Sequence, residues 1–409
     1  MGKDFRGSAL MDLMEKSNNL MESFDKFSTT RLLYKLLDNT CLDETGKIKE
    51  EIKYYINIPA FKIQNSKFIP KPEDKFETML FLPPNPQRKS EGGLRTKGFF
   101  KFSYKLVEDV WYICDLDGNP VISAPEDLQN KIRLYVSSQS KPITYLPLIT
   151  VITVVLNGEK TLEGTIKSMI SQTYPNVEYI IIDGGSNDGT LDIIKKYEDY
   201  IDYWVSEPDE GIYDAMNKGI KVALGSYYVF LGSDDKIIKD WLEKGIHYIN
   251  TLLKFEDTIY LYGNIVFSAK WGKIRYKYLQ LKDLSDLKKE FTIPHSGSII
   301  SSKLFRFNSL YDKKYKIVGD YAWVLSVVQK IRPVYIDCYQ IEMMLGGKSN
   351  NPRSILAILK EIKMLEKDFG ININRKFKIK KIIGYIASKA GIFEKVQFLY
   401  WQAKSLNSK

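Results

Sequence analysis

Acidic and amide side chains follow short apolar runs in the middle of the chain, and their oxygen atoms suit cation and phosphate chemistry. They are Asn157, Asp183, Asp209 and the adjacent pair Asp234 and Asp235. Neighbouring carboxylates at the end of a buried strand repel each other, so keeping them is costly unless a cation offsets the charge. Hard oxygen ligands favour Mg²⁺ or Mn²⁺, usually shared with the phosphates of a ligand. These residues therefore predict a pocket for a divalent cation and a phosphorylated ligand.

The elements that must position these side chains alternate between strand and helix. Ile149–Leu156, Val177–Ile182 and Tyr227–Leu231 are short and mostly apolar, and helical patterns such as Glu159–Ser171 lie between them. This alternation predicts parallel βαβ units. In sheets of that kind ligands bind beyond the carboxyl ends of the strands, where the polar residues fall. We expect the acidic loops to converge on one site.

Each acidic loop also has a purely structural interpretation. Asp183–Thr190 is a glycine-rich turn in which Asp188 or Thr190 would cap the next helix. Glu207 and Asp209 would satisfy the amino end of the helix that we expect to begin near Ile212. The recurrence of such loops at successive strand ends favours a binding site over these alternatives.

Residues 1–145 are predicted to form a small α+β domain. Apolar residues recur at helical spacing in the first 40 residues, and later apolar runs indicate strands. Asp117-Gly118 is typical of a hairpin turn, and Pro70–Gly93 is predicted to be a loop. The strand-like runs are Glu51–Ile58, Gly98–Leu106, Asp109–Asp115 and Ile132–Ser137.

A basic, glycine-containing segment, Arg88–Gly98, lies inside this region. It would either contact phosphate or an acidic glycan, or serve as a solvated connector. No helix start accompanies it to hold an anion, so the connector is favoured. The sequence predicts no role for the domain that contains it.

The charge distribution limits the classes of partner. Residues 351–409 contain 13 Lys and Arg against 4 Asp and Glu, a difference of +9, while the whole chain has a net charge of +10. One local basic element argues against a nucleic-acid-binding surface. Cys41, Cys114 and Cys338 lack metal-ligand spacing and are expected to be reduced thiols of a cytoplasmic protein. We expect no signal peptide and no transmembrane helix.

The motifs from about Leu146 to Ser349 together resemble those of the family-2 glycosyltransferases, inverting enzymes of the GT-A fold that use nucleotide-activated sugars. The segments that carry the resemblance are TVVLNGEKTLE, SQTYPNVEYIIIDGGSNDGT, SEPDEGIYDAMNKGI, FLGSDD, IPHSGSII and YKIVGDYAW. SEPDEGIYDAMNKG is similar to the branch that assembles bacterial surface polysaccharides, such as colanic acid-type exopolysaccharide, O-antigen and capsule. The resemblance implies an α/β, Rossmann-like and mostly parallel sheet with flanking helices over 146–350.

The resemblance also implies roles for individual residues. Asp183 matches the aspartate that contacts a uracil-type base, Asp235 the metal ligand and Asp320 the catalytic base. The implied nucleotide-sugar contacts are Val155, Asn157, Glu159, Asp183, Gly185, Ser186, Asp209, Gly211, Tyr213, Asp214, Asn217, Lys218, Ser233 and Asp234. The implied contacts of the acceptor or the diphosphate are His295, Gly346, Gly347 and Ser349.

Two positions depart from the family pattern. Gly232 stands where the usual D-x-D-D has its first aspartate, so the metal would be held by one carboxylate fewer or more weakly. Met216 stands where many members have arginine, so we expect Lys218 to supply the positive charge.

His295 is either a second ligand of the Mg²⁺ or Mn²⁺ ion, or a contact of the diphosphate, or a hydrogen-bonded loop histidine.

The implied reaction needs one base and one cation. A cation at Asp235 would neutralise charge on the departing diphosphate, and Asp320 would take the proton of the acceptor hydroxyl. One base opposite the leaving group gives inversion, because retention would need a second carboxylate as nucleophile. Asp320 lies among apolar residues that would raise its pKa, although an aspartate near a helix start is also a common favourable partner of the helix dipole.

The basic region 351–409 has two interpretations. Ser354–Phe369 is predicted to be an amphipathic helix, and a segment rich in Lys, Ile and aromatic residues follows it. This region would either attach peripherally to an anionic inner leaflet that carries a lipid-linked acceptor, or pack its apolar stripe on the domain. The mixture of basic and aromatic residues favours attachment to the membrane.

The sequence thus predicts transfer of a sugar, most simply from a UDP-sugar, to a hydroxyl of a glycan or lipid-linked glycan. A non-catalytic scaffold that binds nucleotide-sugars or glycans is the alternative, given Gly232. A sugar-nucleotide pyrophosphorylase would need a glycine-rich basic loop after the first strand, and Asn157-Gly158-Glu159 does not provide it.

Overall fold

The computed structural model describes residues 61–62, 78–139, 142–253, 258–269, 272–345 and 354–374, with 379, 396, 398–399 and 402–404. The helix predicted within 1–40, the strand at Glu51–Ile58, Cys41 and the loop 346–349 lie outside these residues. The strands are β1 Phe61–Lys62, β2 Ser90–Gly92, β3 Phe99–Phe100, β4 Tyr104–Val107, β5 Val110–Cys114, β6 Pro120–Ser123, β7 Tyr145–Leu146, β8 Ile149–Val155, β9 Val177–Asp183, β10 Tyr203–Ser206, β11 Tyr227–Gly232, β12 Lys236–Ile237, β13 Ile259–Ala269, β14 Gly272–Tyr276, β15 Ile299–Ser301 and β16 Arg332–Met344.

Helices lie between these strands as the sequence predicts. The α-helices are α1 Glu126–Ser137, α2 Leu162–Ile170, α3 Thr190–Lys196, α4 Ile212–Val222, α5 Trp241–Tyr248, α6 Ser302–Arg306, α7 Gly319–Val327 and α8 Ile355–Phe369. Short 3₁₀ helices cover Leu94–Lys97, Glu198–Tyr200 and Leu284–Lys288, and a π-helical turn covers Ile249–Leu253.

The central sheet aligns the strand ends that carry the acidic loops. Its order is β12-β16-β13-β15-β11-β8-β9-β10-β2, with β14 paired to β13. Strands β11, β8, β9 and β10 are parallel, and Asp183 is the register partner of both Val155 and Ser206, while Gly232 pairs with Val154. The carboxyl ends of four strands therefore lie side by side at one edge of the sheet.

The predicted GT-A-like α/β fold with flanking helices is confirmed, although the sheet is mixed. Every residue of β8 and β9 is buried, as expected for parallel strands covered on both faces. The antiparallel pairs join β15 to β11 and β13, β14 to β13, β12 to β16 and β2 to β10. Parallel pairing therefore joins β11, β8, β9 and β10 in the central block and also joins β13 to β16.

The segment Arg88–Gly98 is not a solvated connector, so that prediction is wrong. Strand β2 pairs with the edge of β10, and the 3₁₀ turn that follows buries Arg95 at 1% exposure. The Arg95 guanidinium binds the Glu178 carboxylate and donates to the carbonyls of Leu80 and Val222. A buried ion pair and a shared strand edge thus join this segment to the sheet.

A second sheet, in the order β6-β5-β4-β7, lies before the central strands. The hairpin predicted at Asp117-Gly118 is confirmed, since β5 and β6 are antiparallel neighbours. The strand predicted at Ile132–Ser137 is wrong, because these residues form the second half of α1. Leu128, Ile132 and Tyr135 are buried at helical spacing, which the β-branched residues of the run conceal. The domain boundary at residue 145 stays a prediction.

The predicted amphipathic helix at the start of the basic region is confirmed as α8. Its apolar face, which includes Ile358, Ile362 and Leu365, packs in one cluster with Tyr321 and Leu325 of α7. This helix therefore packs on the domain, the second of the two interpretations. Among the described residues no helix has the length and apolar character needed to cross a bilayer.

Candidate active site

Asp183 ends β9 and is completely buried. Its Oδ2 accepts the backbone N–H of Ser186 at 3.0 Å and the hydroxyl of Ser206 at 2.6 Å, while its Oδ1 accepts the hydroxyl of Ser186. Gly185 has a φ of +83°, which lets the chain turn tightly between Asp183 and Ser186. The carboxylate thus holds together the loops that follow β9 and β10.

The loop after β8 lies against the loop after β9. Asn157 has a φ of +55°, and its N–H donates to the Ser186 hydroxyl at 2.7 Å. Its side-chain oxygen accepts the N–H of Asn187 at 3.0 Å, and the Glu159 N–H donates to Asp188 at 3.1 Å. The side chains of Asn157 and Glu159 are exposed at this edge, whereas the preceding Val155 is buried.

Lys89 braces the same loop from the other side. Its ammonium donates to the carbonyls of Gly185 and Ser186, both at 2.9 Å, and to the side-chain oxygen of Asn187 at 2.7 Å. No sequence motif predicts this contact, because it depends on the pairing of β2 with β10. The segment before the central sheet therefore contributes to the loop where a nucleotide is predicted to bind.

The end of β10 carries a carboxylate held by two cations. Glu207 is ion-paired with Arg88 and with Lys218, each at 2.8 Å. Burial opposes its ionisation, but the hydrogen bonds from Lys218 and Arg88 outweigh burial and hold the pKa of Glu207 below its usual range. Lys218 also donates to the carbonyl of Pro208 at 2.8 Å. Its ammonium thus neutralises Glu207 in this structure.

Asp209 and Asp214 organise the turn that begins α4. The N–H of Gly211 donates to Asp209 Oδ1 at 2.8 Å, and the N–H of Glu210 donates to Asp214 Oδ2 at 3.1 Å. Gly211 has a φ of +123°, a conformation that favours glycine. Asp209 therefore accepts a backbone N–H just before α4, as its structural interpretation predicts. Its role in binding a donor stays a prediction.

Asp234 and Asp235 follow β11 and form a pair of adjacent carboxylates at this edge of the sheet. Asp235 is 5% exposed, and its Oδ2 accepts the Ser296 hydroxyl at 2.9 Å. Burial and then the charge of Asp234 raise the pKa of Asp235 to about 7. Burial also raises the pKa of Asp234. Ser233 precedes the pair and lies beside Gly158 of the loop after β8.

Gly232 leaves a space into which both carboxylates point. A Cβ atom at this position would lie 2.9 Å from Asp235 Oδ2 and 3.1 Å from Asp234 Oδ1. The described residues contain no group of three or more His, Cys, Asp or Glu side chains that would enclose a metal. Two converging carboxylates fit an open Mg²⁺ or Mn²⁺ site completed by phosphates and water, and they do not fit a closed all-protein site.

His295 has both ring nitrogens occupied. Nδ1 lies 2.9 Å from the Tyr260 hydroxyl and Nε2 lies 2.6 Å from the Tyr311 hydroxyl, while the ring stacks on Phe230. Burial lowers the pKa of His295 to about 3, so the ring is neutral. Of the alternatives from the sequence, this geometry favours the hydrogen-bonded loop histidine over a metal ligand.

Asp320 is the second residue of α7 and is bonded to Tyr213 of α4. Its Oδ1 accepts the Tyr213 hydroxyl at 3.1 Å and the N–H of Tyr321 at 2.8 Å. Burial raises the pKa of Asp320 to about 6, against the lowering effect of these hydrogen bonds. Tyr213 is 5% exposed, and its hydroxyl contacts the predicted base, while its contact with a donor sugar stays a prediction.

Asn217 connects α4 to the same region by backbone contacts. Its side-chain nitrogen donates to the carbonyl of Tyr311 at 2.8 Å, and its oxygen accepts the N–H of Tyr311 at 2.9 Å. Both polar atoms of this 7% exposed side chain are thereby engaged. The ring of Tyr311 lies 5.3 Å from that of Tyr213 and contacts His295. Asn217 therefore supports the ring cluster that lies between Asp235 and Asp320.

The structure thus brings the loops after β8, β9, β10 and β11 to one edge of the sheet, and comparison with known proteins shows the family of the chain. The model of the family described as glycosyl transferase family 2 matches residues 150–310. An uncharacterized glycosyltransferase of Mycobacterium tuberculosis is 30% identical over 235 residues, which cover 54% of this chain and 84% of that relative. The chain belongs to glycosyl transferase family 2.

Other relatives of this family-2 glycosyltransferase share less. A PGL/p-HBAD biosynthesis glycosyltransferase of Mycobacterium bovis is 28% identical over 216 residues, 50% of this chain and 80% of that protein. S. aureus TarS 1-349 in complex with UDP-GlcNAc has a TM-score of 0.43 at 17% identity, covering 58% of this chain and 71% of that one. Mannosyltransferase PcManGT from Pyrobaculum calidifontis, in complex with GDP-Man and Mn²⁺, has a TM-score of 0.42 at 14% identity, covering 65% and 74%.

Proposed function

We propose that this glycosyltransferase moves a sugar from a nucleotide-sugar donor, a UDP-sugar first of all, to a hydroxyl of a glycan or lipid-linked glycan. One observation carries the proposal, a continuous series of contacts from Asp235 to Asp320. It runs through Ser296 and its neighbour His295, then Tyr311, then Tyr213. A carboxylate pair suited to a cation and a carboxylate suited to proton removal therefore belong to one network.

Asp235 is proposed to hold Mg²⁺ or Mn²⁺, with Asp234 beside it. When bound, the cation neutralises charge on the departing diphosphate. The space above Gly232 and the convergence of both carboxylates on it support this assignment. The loops that follow β8 and β9, braced by Lys89, are proposed to hold the nucleoside, with Asp183 at their base.

Asp320 is proposed to remove the proton of the acceptor hydroxyl as the hydroxyl attacks. A pKa of about 6 leaves the carboxylate ionised near neutral pH while it keeps useful basicity. General-base catalysis of this kind contributes roughly 10²–10⁴-fold to a rate. Because a single carboxylate is assigned to the acceptor side, the proposed outcome is one displacement with inversion.

The proposed setting is surface polysaccharide biosynthesis at the inner face of the cell membrane. The segment SEPDEGIYDAMNKG supports the setting by its similarity to that branch of the family. Peripheral attachment to the membrane is proposed only for residues beyond α8, because the apolar face of α8 itself is packed on α7.

A panel of UDP-, GDP- and dTDP-sugars, offered with Mn²⁺, tests the function. We expect Mn²⁺-dependent release of nucleoside diphosphate from one donor class, and loss of that release in Asp235→Ala. Thermal unfolding of the variant provides the folding control. A nucleotide-sugar that binds to the wild-type protein without any turnover would favour the non-catalytic scaffold instead.

A further inference from the structure

Glu361 of α8 is a buried carboxylate whose contacts lead to the loop before Asp320. The residue is 7% exposed. Its Oε1 accepts the backbone N–H of Lys316 at 2.8 Å, and its Oε2 accepts those of Ile317 and Val318, both at 3.0 Å. Within the described part of the chain Glu361 forms no ion pair. Its hydrogen-bond partners there are three consecutive backbone N–H groups.

These three N–H groups belong to the residues that lead directly into α7. Val318 is the residue before the first turn, Gly319 begins the helix, and Asp320 follows. Consecutive donors that point at one carboxylate restrict the backbone dihedral angles of this short segment, a role that few other acceptors can fulfil. The start of α7, and with it Asp320, is therefore anchored to α8.

Tyr213 holds the same segment from the opposite side. Its hydroxyl lies 2.8 Å from the carbonyl oxygen of Ile317 and 3.1 Å from Asp320 Oδ1. A Cβ atom at Gly319 would lie 2.6 Å from the Tyr213 ring, so the ring packs directly on the helix backbone. Ile317 is thus fixed through its N–H by Glu361 and through its carbonyl by Tyr213.

We propose that Glu361 is a positioning residue for Asp320, which rests on the proposed role of Asp320 as the base. Its carboxylate holds residues 316–318 so that α7 places Asp320 Oδ1 against the Tyr213 hydroxyl. Neither Glu361 nor Asp320 lies within the matched family region, residues 150–310.

The charge of Glu361 accompanies the positioning effect. The titratable groups that face Asp320 are Tyr213, Tyr260, Tyr311 and Glu361. Burial raises the pKa of each tyrosine well above its usual value, so all three stay neutral between pH 5 and pH 9. The negative charge of Glu361 raises the pKa of Asp320, and its removal has the opposite effect.

Glu361→Gln tests the proposal, with Glu366→Gln as the matched control. Glu366 lies on the same helix and accepts the N–H of Ile373 at 2.8 Å, in the turn after α8. The first measurement is the titration of Asp320 by NMR of protein labelled with ¹³C at aspartate carboxyl carbons, with the signal assigned by its loss in Asp320→Asn. The second is the pH dependence of nucleoside diphosphate release from the donor that the wild-type protein uses.

We expect Glu361→Gln to raise the titration midpoint of Asp320 by about 0.5 pH unit, and the acidic limb of the rate profile with it, because loss of the Tyr213 hydrogen bond outweighs loss of the Glu361 charge. We also expect about a tenfold loss in kcat with unchanged UDP affinity. The NH₂ group of the glutamine would face backbone N–H groups of residues 316–318 that it cannot accept, so this loop and Asp320 would move out of position. Glu366→Gln should leave both properties as in the wild type.

An unchanged or lowered Asp320 midpoint in folded Glu361→Gln would overturn the proposal, because loss of the Glu361 charge without loss of positioning lowers the pKa of Asp320. A loss of folded protein alone, with the midpoint and the rate per folded molecule retained, would also overturn it. Failure of the proposed function is distinguishable, because Asp320→Asn would then release nucleoside diphosphate at the wild-type rate. The NMR titration answers the question about Glu361 in either case.

Discussion

The Tyr213 hydroxyl lies 3.1 Å from Asp320 Oδ1, so the helix that follows one acidic loop of the sheet contacts the proposed catalytic base directly. Lys316 strengthens this connection, because its ammonium donates to the carbonyl of Glu210 at 2.8 Å. Lys313 is ion-paired with Glu210 and with Asp214, each at 3.2 Å. Hydrogen bonds and ion pairs therefore join the loop before Asp320 to the loop after β10, where the donor is proposed to bind.

Tyr213→Phe should impair the base without impairing the fold. The Tyr213 hydrogen bond lowers the pKa of Asp320, so its removal raises that pKa, and activity should be lost at a higher pH on the acidic side. We expect about a tenfold lower kcat at pH 7, since one oriented hydrogen bond is lost. The pH profile of nucleoside diphosphate release measures both effects. Tyr262→Phe is the control, because its hydroxyl bonds the carbonyl of Leu279; equal profiles for both variants would contradict the role of Tyr213.

Asp320→Asn should be more stable than the wild type at neutral pH. Burial raises the pKa of Asp320 from 3.8 to about 6, so its contribution to stability is complete below pH 3.8 and is lost as the pH rises through 6. The neutral amide avoids this loss. We therefore expect the free energy of unfolding of Asp320→Asn to exceed that of the wild type by up to about 2–3 kcal/mol at pH 7.5, and the two to be equal at pH 3.5. Urea unfolding at both pH values measures the difference. The exposed Asp312→Asn is the control, and a variant less stable than wild type at pH 7.5 would count against the burial argument.

Gly232→Ala should weaken binding of Mn²⁺ in the presence of UDP. The added Cβ atom would approach Asp235 Oδ2 to 2.9 Å and displace a carboxylate of the pair. We expect at least about a tenfold higher dissociation constant for Mn²⁺, measured by calorimetry, since geometry and ligand number set the affinity of such sites. Gly164→Ala is the control, because its Cβ would meet only the end of the flexible Lys236 side chain, at 3.2 Å. Equal affinities in both variants would exclude the Gly232 space as the metal position.

Arg95→Ala should destabilise the whole protein. The change leaves Glu178 buried with the Thr150 hydroxyl and the Leu224 N–H as its remaining partners. Removing one partner of a buried ion pair costs about 3–5 kcal/mol. Lys97→Ala removes the more exposed pair with Asp199 and should cost under about 1 kcal/mol. Similar unfolding free energies for the two variants would show that the segment is not integral to the fold.

The central strands could be predicted from the sequence because each is a short apolar run that ends at a polar residue. Asp183, Asp209 and Asp235 follow from that pattern, since parallel strands bring their carboxyl ends to one edge. The hairpin at Asp117-Gly118 was likewise apparent, because the turn chemistry lies in two adjacent residues.

Other features depend on partners distant in sequence and left no local signal. Strand β2 is three polar or small residues long, and it is a strand because β10 offers an unpaired edge. The hydrogen bond between Tyr213 and Asp320 joins residues 107 positions apart, and no sequence pattern indicates it. Glu361 looks like an ordinary surface residue of an amphipathic helix until the loop 316–318 is placed against it.

The most direct test of the account is the release of nucleoside diphosphate by Asp320→Asn, together with its affinity for UDP. The account predicts a loss of roughly 10²–10⁴-fold in kcat, because the amide cannot accept the acceptor's proton. It also predicts a UDP dissociation constant within about twofold of wild type, because Asp320 does not belong to the donor loops. Retained turnover in the folded variant would contradict the assignment of Asp320 as the base.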